Sequence, residues 1–445
     1  MVYENEIKRD PASFRDPAAN VYASEGKVVR LIYKSYFPEY DQFMDRVYPI
    51  LIEKGLIVPH RVMSRDEDRI VIAPEYIELI TYPYEWTFAM LKEAALVTLL
   101  VNQIALEQGM MLKDASAYNI QYSRGRMRLI DTTSFMFYNG ATPWPAYSQF
   151  LRHFVCPMLW IKYYNPKLSR LSEIYLDGIP VPLTSRMLPI HTRLSARLWR
   201  HIFAQSLDFQ PGPWAVDIKM SRFNLIAFLN DLFKFVSRLE YKLISGHGWL
   251  KYAEAGSYTP DSLRSKKEIV YDCIDRIRGK RIMDIGANTG DYSHMAAAKG
   301  WDVIALDADH DCMFCLAGVN NILPLVVDLC NPSPAIGWDN QERHAIWDRI
   351  GKVDAVMALA LIHHLSVRNN VPLGLVAELL AHHCNNLIIE WVPLEDRQAQ
   401  KLLGTKCIPE YSQQVFLNEF SRLFHIGRSF PITGSERIIY EMEVK

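Results

Sequence analysis

The sequence has no excess of charge of either sign, and this excludes one broad class of function. Its 49 Lys and Arg residues are matched by 50 Asp and Glu residues, which leaves a formal net charge of −1. A protein that binds nucleic acid through its overall charge needs a strongly basic surface. We therefore expect no bulk binding to nucleic acid.

Long apolar runs are also lacking, and the opening residues, MVYENEIKRDP, are too polar for a secretory signal. No unbroken apolar stretch approaches the ~20 residues that cross a membrane as a helix. Cysteine is scarce, with seven residues scattered along the chain. These features predict a cytoplasmic protein with reduced thiols and no transmembrane segment. Cys312 and Cys315 form a C-x-x-C pair, but no second pair follows at zinc-site spacing, so we expect buried structural cysteines.

Apolar residues are plentiful, at 49% of 445 positions, which is enough for two or three domains with their own cores. Charge is unevenly distributed, because residues 140–245 hold 13 basic and 6 acidic residues. This segment is also aromatic-rich and mostly helical in pattern. Its last helix, predicted at 218–244, is either part of a core or a contact for a membrane surface or a partner. The sequence SGHG at 245–248 indicates a domain boundary.

One stretch, residues 281–307, has the pattern of a strand, a glycine turn, a helix and a second strand. This order begins the βαβ units that bind nucleotide cofactors. In the dinucleotide pattern G-x-G-x-x-G, the middle glycine lets a pyrophosphate approach the backbone. Asn288 takes that position here, and its side chain disfavours NAD and FAD.

With an acid before the turn and another at the end of the second strand, the stretch resembles class I S-adenosylmethionine-dependent methyltransferases. The resemblance covers about residues 250–445 and implies a Rossmann-like, doubly wound, seven-stranded α/β sheet ending in an antiparallel hairpin. It also implies S-adenosylmethionine as cofactor, with the glycine loop beside the methionine part and the second acid on the ribose hydroxyls. The cofactor-binding residues that it implies are Asp284, Gly286, Asn288, Gly290, Asp307 and, near the adenine amino group, Asp328.

Two later strands lead to the predicted catalytic residues. The apolar run at 353–361 is followed by His363 and His364, and the strand at 387–390 ends at Glu390. Because ligands of open α/β sheets lie at the carboxyl ends of the strands, we expect these side chains beside the acceptor. A neutral histidine there can take the proton of a hydroxyl acceptor. The alternative is that one histidine packs under the following helix while the other only lines the pocket.

A second motif lies within residues 111–135, where Asp114, Asn119 and Asp131 have the spacing D-x-x-x-x-N followed by an acid. It resembles the catalytic loop and metal-binding acid of protein kinases and related small-molecule phosphotransferases. The resemblance implies Asp114 as base, Asn119 and Asp131 as ligands of Mg²⁺ with ATP, and Lys34 as the phosphate-pairing lysine. No glycine-rich phosphate loop precedes the motif. Three interpretations stay open: a degenerate kinase-like scaffold, an active kinase, and chance similarity.

These patterns predict an α+β kinase-like region at 1–139, its basic helical extension at 140–245 and a methyltransferase domain at 246–445. We expect O-methylation of a glycan, glycolipid or other small anionic acceptor, with the kinase-like domain positioning the substrate. A bifunctional methyltransferase and kinase, and a non-catalytic ligand-binding or adaptor protein, are the alternatives. The chain resembles bacterial class I methyltransferases, some of them named for host-specific nodulation. A looser resemblance is to the methyltransferase–kinase pairing of enzymes that cap O-antigen chains.

Overall fold

The computed structural model describes residues 8–24, 26–206, 219–243 and 258–445. The chain forms two compact units, of which the first comprises Met1–Lys242 and Ala335–His344 and the second Leu243–Pro334 and Ala345–Lys445. Residues 335–344 belong to the first unit partly because Glu342 pairs there with Arg15, at 2.5 Å between Oε1 and Nε. The boundary predicted at 245–248 lies outside the described residues, and the three-part division stays a prediction.

The first unit begins with an antiparallel sheet of five strands in the order β1-β2-β3-β5-β4. The strands are β1 (Lys8–Arg9), β2 (Ala19–Ser24), β3 (Lys27–Tyr33), β4 (His60–Arg65) and β5 (Arg69–Pro74). Strands β2 and β3 form an antiparallel hairpin. Helices α1 (Phe37–Gln42) and α2 (Tyr48–Glu53) follow β3.

Helix α3 (Phe88–Glu107) runs through the core of the first unit. It begins at Thr87, whose hydroxyl accepts the backbone N–H of Met90 at 3.3 Å, and apolar side chains occur around its whole circumference. Among the described residues it is the one helix whose length and mean hydropathy would allow it to cross a membrane, although Lys92 and Glu93 interrupt its apolar run. However, 67% of its apolar window is buried inside the protein, as in a core helix.

Two short strand pairs and a set of helices complete the first unit. Strand β6 (Met110–Leu112) pairs with β9 (Phe135–Phe137), and β7 (Ile120–Ser123) pairs with β8 (Arg126–Leu129). The helices that follow, as the pattern of residues 140–245 predicts, are α4 (Tyr147–Phe150), α5 (Cys156–Tyr163), α6 (Leu171–Ile174), α7 (Val181–Met187), α8 (Ala196–Leu198) and α9 (Arg222–Ser237). The two strand pairs bring the loops 113–119 and 130–134 together, which positions the second sequence motif.

The second unit contains a mixed sheet of seven strands in the order β12-β11-β10-β13-β14-β16-β15. The first five strands in this order are parallel, whereas β16 is antiparallel to β14 and to β15. The strands are β10 (Arg281–Ile285), β11 (Asp302–Asp307), β12 (Ile322–Val326), β13 (Val353–Ala358), β14 (Cys384–Trp391), β15 (Phe424–Pro431) and β16 (Ile438–Val444). The mixed α/β sheet and its closing hairpin confirm the fold class expected for this part of the chain.

The helices of the second unit alternate with its parallel strands, as a doubly wound sheet requires. They are α10 (Pro260–Arg276), α11 (Asp291–Ala298), α12 (His310–Leu316), α13 (Ile346–Ile350), α14 (Leu373–His383), α15 (Arg397–Leu403) and α16 (Gln413–Leu423). The strand order reverses at β10, because the chain proceeds from β10 outward to β12 and then returns to β13 on the other side. Ligands bind outside the carboxyl ends of the strands at such a reversal. The candidate site of this unit therefore lies at the ends of β10, β11 and β13.

Candidate functional site

The turn between β10 and α11 is tight and closes on the end of β11. Gly286 and Gly290 have φ angles of +72° and +83°, in the region that favours glycine. A Cβ at Gly290 would lie 2.4 Å from Leu316 Cδ2, so no larger residue fits without a shift. The N–H groups of Gly286 and Ala287 donate to the carbonyl of Leu306 at 2.8 and 3.1 Å. The turn is therefore held by its own backbone.

The middle of the same turn is bound to an acidic side chain. Asn288, with a φ of +51°, donates its N–H to Asp307 Oδ2 at 2.9 Å. The N–H of Thr289 donates to Asn288 Oδ1 at 2.6 Å, and that of Gly290 to the carbonyl of Ala287 at 2.9 Å. All five N–H groups from 286 to 290 thus have acceptors within the turn or at β11. A pyrophosphate needs such groups as donors, which is a second reason against NAD or FAD.

The two acids of the first sequence motif lie at the carboxyl ends of neighbouring strands. Asp284 is buried and accepts the Ser293 hydroxyl at 2.6 Å. Burial raises the pKa of Asp284 to about 6, and the charge of Asp307 adds to this. Asp307 is partly exposed and accepts N–H groups of Asn288 and Asp309, at 2.9 and 2.8 Å. Burial likewise raises the pKa of Asp307 to about 6.

Asp307 keeps the capacity to bind a further ligand. A carboxylate has about four lone-pair sites, and the two backbone N–H groups take one on each oxygen of Asp307. Two vicinal hydroxyl groups can use the remaining sites. The residues present therefore fit the ribose of S-adenosylmethionine, as the family resemblance implies.

Asp328 lies two residues beyond the end of β12, next to the end of β11. Its side chain is exposed and its Oδ1 accepts the N–H of Cys330 at 2.9 Å, so the carboxylate caps its own turn. The backbone is tied to the neighbouring strand by Val327, whose N–H donates to the Asp307 carbonyl at 2.9 Å. Asp328 is thus near the candidate site, and its predicted role toward adenine stays a prediction.

The predicted histidines follow the end of β13 after four residues, and their ring centroids lie 4.2 Å apart. His363 is fully buried, and neither of its ring nitrogens has a hydrogen-bond partner among the described residues. Burial, with the neighbouring charge of Arg437, lowers the pKa of His363 to about 3; burial also lowers that of His364 to about 4. Both rings are neutral at pH 7. They are hydrogen-bonding groups but weak bases, so their predicted role in proton transfer stays a prediction.

Glu390 lies near the end of β14, at the centre of a buried ionic network. Its Oε2 is 2.7 Å from Lys266 Nζ, and its Oε1 is 3.3 Å from an Arg437 Nη and accepts the Tyr258 hydroxyl. Arg437 also donates to Asp396 at 2.9 Å. Burial would raise the pKa of Glu390, but Lys266 and Arg437 outweigh it and lower the pKa to about 2. Glu390 is therefore ionised and held by two cations.

The sequence interpretation missed the partners of Glu390. Lys266 lies on α10, Tyr258 precedes that helix, and Arg437 precedes β16, so the three come from distant parts of the chain. The Tyr258 and Arg437 side chains meet although they are 179 residues apart. No local motif marks these residues. A lysine at a buried position of an otherwise amphipathic helix was the one available signal.

In the first unit, the structure brings together three of the four residues of the kinase-like motif. Asn119 Nδ2 donates to Ser134 Oγ at 3.2 Å, and Ser134 in turn donates to Asp131. Asp114 accepts the N–H of Ser116 at 2.9 Å and the Gln149 amide at 2.8 Å. Burial raises the pKa of Asp114, and the charge of Asp131 adds to this.

Lys34, the fourth predicted residue, makes no contact with Asp114, Asn119 or Asp131 among the described residues. It is exposed at the start of a 3₁₀ turn after β3, and its backbone N–H donates to the Asp68 carbonyl at 2.9 Å. Arg30, in the middle of β3, is instead the cation that binds the Asp131 carboxylate. Despite burial, Arg30 lowers the pKa of Asp131 to about 2. The sequence interpretation missed Arg30.

The cysteine prediction is half right. Cys312 is buried, with its thiol 3.7 Å from Asn288 Oδ1, but Cys315 is exposed because it lies on the outer face of the short helix α12. Over the part of the chain that the structure describes, no group of three or more His, Cys, Asp or Glu side chains is arranged to hold a metal ion.

Three features identify the fold of the second unit: its strand order, its antiparallel seventh strand and the acid at the end of β11. This unit has the fold that the resemblance to class I S-adenosylmethionine-dependent methyltransferases implies. The whole chain belongs to the family of nodulation protein NoeA from Rhizobium meliloti (strain 1021), with 30% identity over 98% of this chain and 96% of that protein. No protein-family model matches the chain.

Several solved structures show weaker similarity. The bifunctional kinase-methyltransferase WbdD has 18% identity, over 48% of this chain and 46% of its own, with a TM-score of 0.29. The N-methyltransferase NodS from Bradyrhizobium japonicum WM9 has 8% identity, over 42% and 97%, with a TM-score of 0.31. Magnesium protoporphyrin IX methyltransferase from Synechocystis PCC 6803 has 17% identity, over 45% and 90%, with a TM-score of 0.30. These TM-scores are too low to establish a shared fold, which rests instead on the strand order.

Proposed function

We propose that this protein transfers a methyl group from S-adenosylmethionine to an oxygen of a glycan, glycolipid or other small anionic acceptor. The observation that carries the proposal is the turn at 286–290, closed on Asp307, whose carboxylate keeps lone pairs for two hydroxyl groups. Asp307 would bind the ribose hydroxyls, Asp328 would lie toward the adenine, and the glycine turn would adjoin the methionine part. When bound, the cofactor brings an electrophilic methyl group.

The chain's own residues then orient the acceptor. In the proposed site, His364, whose side chain is partly exposed, accepts a hydrogen bond from the acceptor hydroxyl through a neutral ring nitrogen, and the fully buried His363 packs against it. Burial makes protonation of either ring costly in free energy. We therefore assign His364 to positioning the oxygen, with His363 behind it, and most of the acceleration to orientation.

Glu390 has a supporting role in this proposal. Its charge holds Lys266 and Arg437, whose side chains are almost fully buried. The second terminal nitrogen of Arg437, Nη2, has no hydrogen-bond partner within the described residues, so it can donate to an anionic group of the acceptor. An acidic glycan or glycolipid has an anionic group that can accept a hydrogen bond from Arg437 and a hydroxyl group that can donate one to a neutral histidine. Glu390 thereby determines where the guanidinium lies.

For the first unit we propose a kinase-like scaffold that positions the substrate. An antiparallel five-stranded sheet precedes a long helix and two strand pairs, whose loops carry Asp114, Asn119 and Asp131. This arrangement supports the kinase-like interpretation over chance similarity. The family member NoeA is named for nodulation, and we extend that biological context to this chain as part of the proposal.

The cofactor part of the proposal is tested by calorimetric titration of the full-length chain with S-adenosylmethionine. Asp307→Ala should weaken binding at least about tenfold, because it removes a charge-assisted hydrogen bond to two hydroxyls. Asp302→Ala is the matched control, because Asp302 is exposed at the opposite end of the same strand, β11. Equal affinity in both variants and the native chain would refute the cofactor site.

The acceptor is tested by incubating the chain with tritiated methyl-labelled S-adenosylmethionine and fractionated cell extract. We expect label in the glycan or glycolipid fraction. Label confined to protein or nucleic acid would contradict the acceptor class. Tight cofactor binding without label in any fraction would favour the adaptor alternative.

A further inference from the structure

The kinase-like centre of the first unit was expected to hold Mg²⁺ through Asn119 and Asp131. Mg²⁺ requires near-octahedral oxygen ligands and is commonly held by one or two carboxylates together with substrate phosphates. Such a carboxylate must present an unused lone pair toward the ion. The contacts of Asp131 decide whether it can.

The Asp131 carboxylate is already bound by donors of this chain on both of its oxygens. Its Oδ1 binds the Arg30 guanidinium and accepts the Thr133 N–H at 2.9 Å, and its Oδ2 accepts the Ser134 hydroxyl. The Thr133 hydroxyl, 2.9 Å from Oδ1, is a fourth neighbour. Arg30 and the Thr133 N–H thus use both lone pairs of Oδ1, and Oδ2 keeps one lone pair on a carboxylate whose charge Arg30 already neutralises. Only 13% of each of the Arg30 and Asp131 side chains is exposed, so water screens their attraction little.

A second acid lies next to this pair. Asp16 is in the segment between β1 and β2, and its Oδ2 accepts the Thr133 hydroxyl at 2.6 Å while its Oδ1 accepts the Ala18 N–H at 2.9 Å. The segment that would cover the phosphates in a kinase thus places a carboxylate beside Asp131. Negative charge at this point opposes a triphosphate. The residues present do not fit Mg²⁺ with ATP.

We propose that the Arg30 guanidinium takes the place of a divalent cation in this centre, so that the first unit binds its ligand without Mg²⁺ and does not transfer phosphate from ATP. The inference rests on the proposed kinase-like role of the first unit and selects the scaffold over the active kinase. Arg30 neutralises Asp131 permanently, as a metal ion would do only when bound. The centre is a fixed ion pair within the sheet and loops of one unit.

The test uses Mn²⁺ as the probe, because its electron paramagnetic resonance signal reports binding directly. The full-length native chain is compared with Arg30→Gln, Asp131→Asn, Arg30→Gln/Asp131→Asn and, as a control, Lys34→Ala. Lys34 is a matched control because it is a cation four residues further along, exposed and without contact to Asp131 among the described residues. Far-UV circular dichroism and thermal unfolding show in each case that the chain, including its first unit, is folded. Arg30→Lys is a further variant, which removes the guanidinium group but keeps the positive charge beside Asp131.

We expect the native chain, Lys34→Ala and Arg30→Lys to leave the Mn²⁺ signal unchanged. Arg30→Gln should bind one Mn²⁺, because it leaves the Asp131 and Asp16 carboxylates without their cation. Adding Asp131→Asn to Arg30→Gln should abolish that Mn²⁺ site. One Mn²⁺ bound by the native chain and lost in Asp131→Asn would overturn the inference and leave the kinase-like role standing. If no variant bound Mn²⁺, both the inference about Arg30 and the kinase-like role of the first unit would be overturned. The methyltransferase proposal would be unaffected.

Discussion

Replacing Glu390 with glutamine removes the charge at the centre of the buried network in the second unit. Glu390 is fully buried, and its two nearest cations are also almost inaccessible, with 4% of the Lys266 and 1% of the Arg437 side chain exposed. In the variant, Lys266 loses its only acidic partner at ion-pair distance among the described residues, while Arg437 keeps Asp396. An isolated buried cation is costly, so the folded state should be strongly destabilised.

Two lines of reasoning give a similar magnitude for this loss. Removing one partner of a buried pair costs roughly 3–5 kcal/mol. The pKa of Glu390 falls from its usual 4.5 to about 2, which corresponds to about 3 kcal/mol in favour of the folded state. Burial lowers the pKa of Lys266, and this offsets part of the gain. For a unit of this size, a loss of about 3 kcal/mol lowers Tm by roughly 6–12 °C.

The assay is thermal and urea unfolding of the full chain, with Glu441→Gln as the control. Glu441 lies on β16 and pairs with Arg276 at 2.7 Å, but 21% and 30% of these side chains are exposed, so its loss should cost below about 1 kcal/mol. Because the folded pKa of Glu390 is depressed, its contribution is complete above about pH 4.5 and is lost as pH falls toward 2. The Glu390→Gln variant should lack this part of the acid sensitivity. A Tm loss no larger than that of the control would refute the reasoning.

Two further predictions concern the cofactor turn. Gly290→Ala should reduce both stability and S-adenosylmethionine affinity more than Gly300→Ala does. Both glycines have a positive φ, but only a Cβ at Gly290 would meet another side chain, that of Leu316 at 2.4 Å. Thermal unfolding and calorimetric titration measure the two effects. Equal losses would mean that backbone strain alone, about 1 kcal/mol, accounts for the effect. The pKa of Asp307 is about 6, so its carboxylate becomes protonated as pH drops below 6 and the affinity of the native chain for S-adenosylmethionine should fall. The affinity of Asp307→Asn should not change over this pH range. Parallel pH profiles of the two proteins would contradict this prediction.

Local patterns in the sequence were sufficient for the parts of the fold that lie within about thirty residues of one another. The glycine turn, α11 and β11 follow from residue types at fixed spacing, because one βαβ unit sets its own geometry. The class of the second unit followed from the same pattern continued to the final hairpin. The same local reasoning placed Asp114, Asn119 and Asp131 near one another, since two short strand pairs bring their loops together.

The position of Lys34 shows where local reasoning ends. Lys34 and Arg30 are both cations close to β3, and composition does not distinguish them. Arg30 lies within the strand, whereas Lys34 follows the strand and remains exposed. Which of them meets Asp131, 101 residues later in the chain, depends on how the sheet packs against the later loops.

The sequence by itself predicted the fold class of the second unit and disfavoured a dinucleotide through Asn288. Only the tertiary structure decided which side chains surround Glu390. As the end of a strand it was expected to face the acceptor, but Lys266 and Arg437 enclose it and hold it ionised. The physical reason is that a buried charge is stable only beside an opposite charge, and the residues that meet this requirement come from helices and strands far apart in the chain.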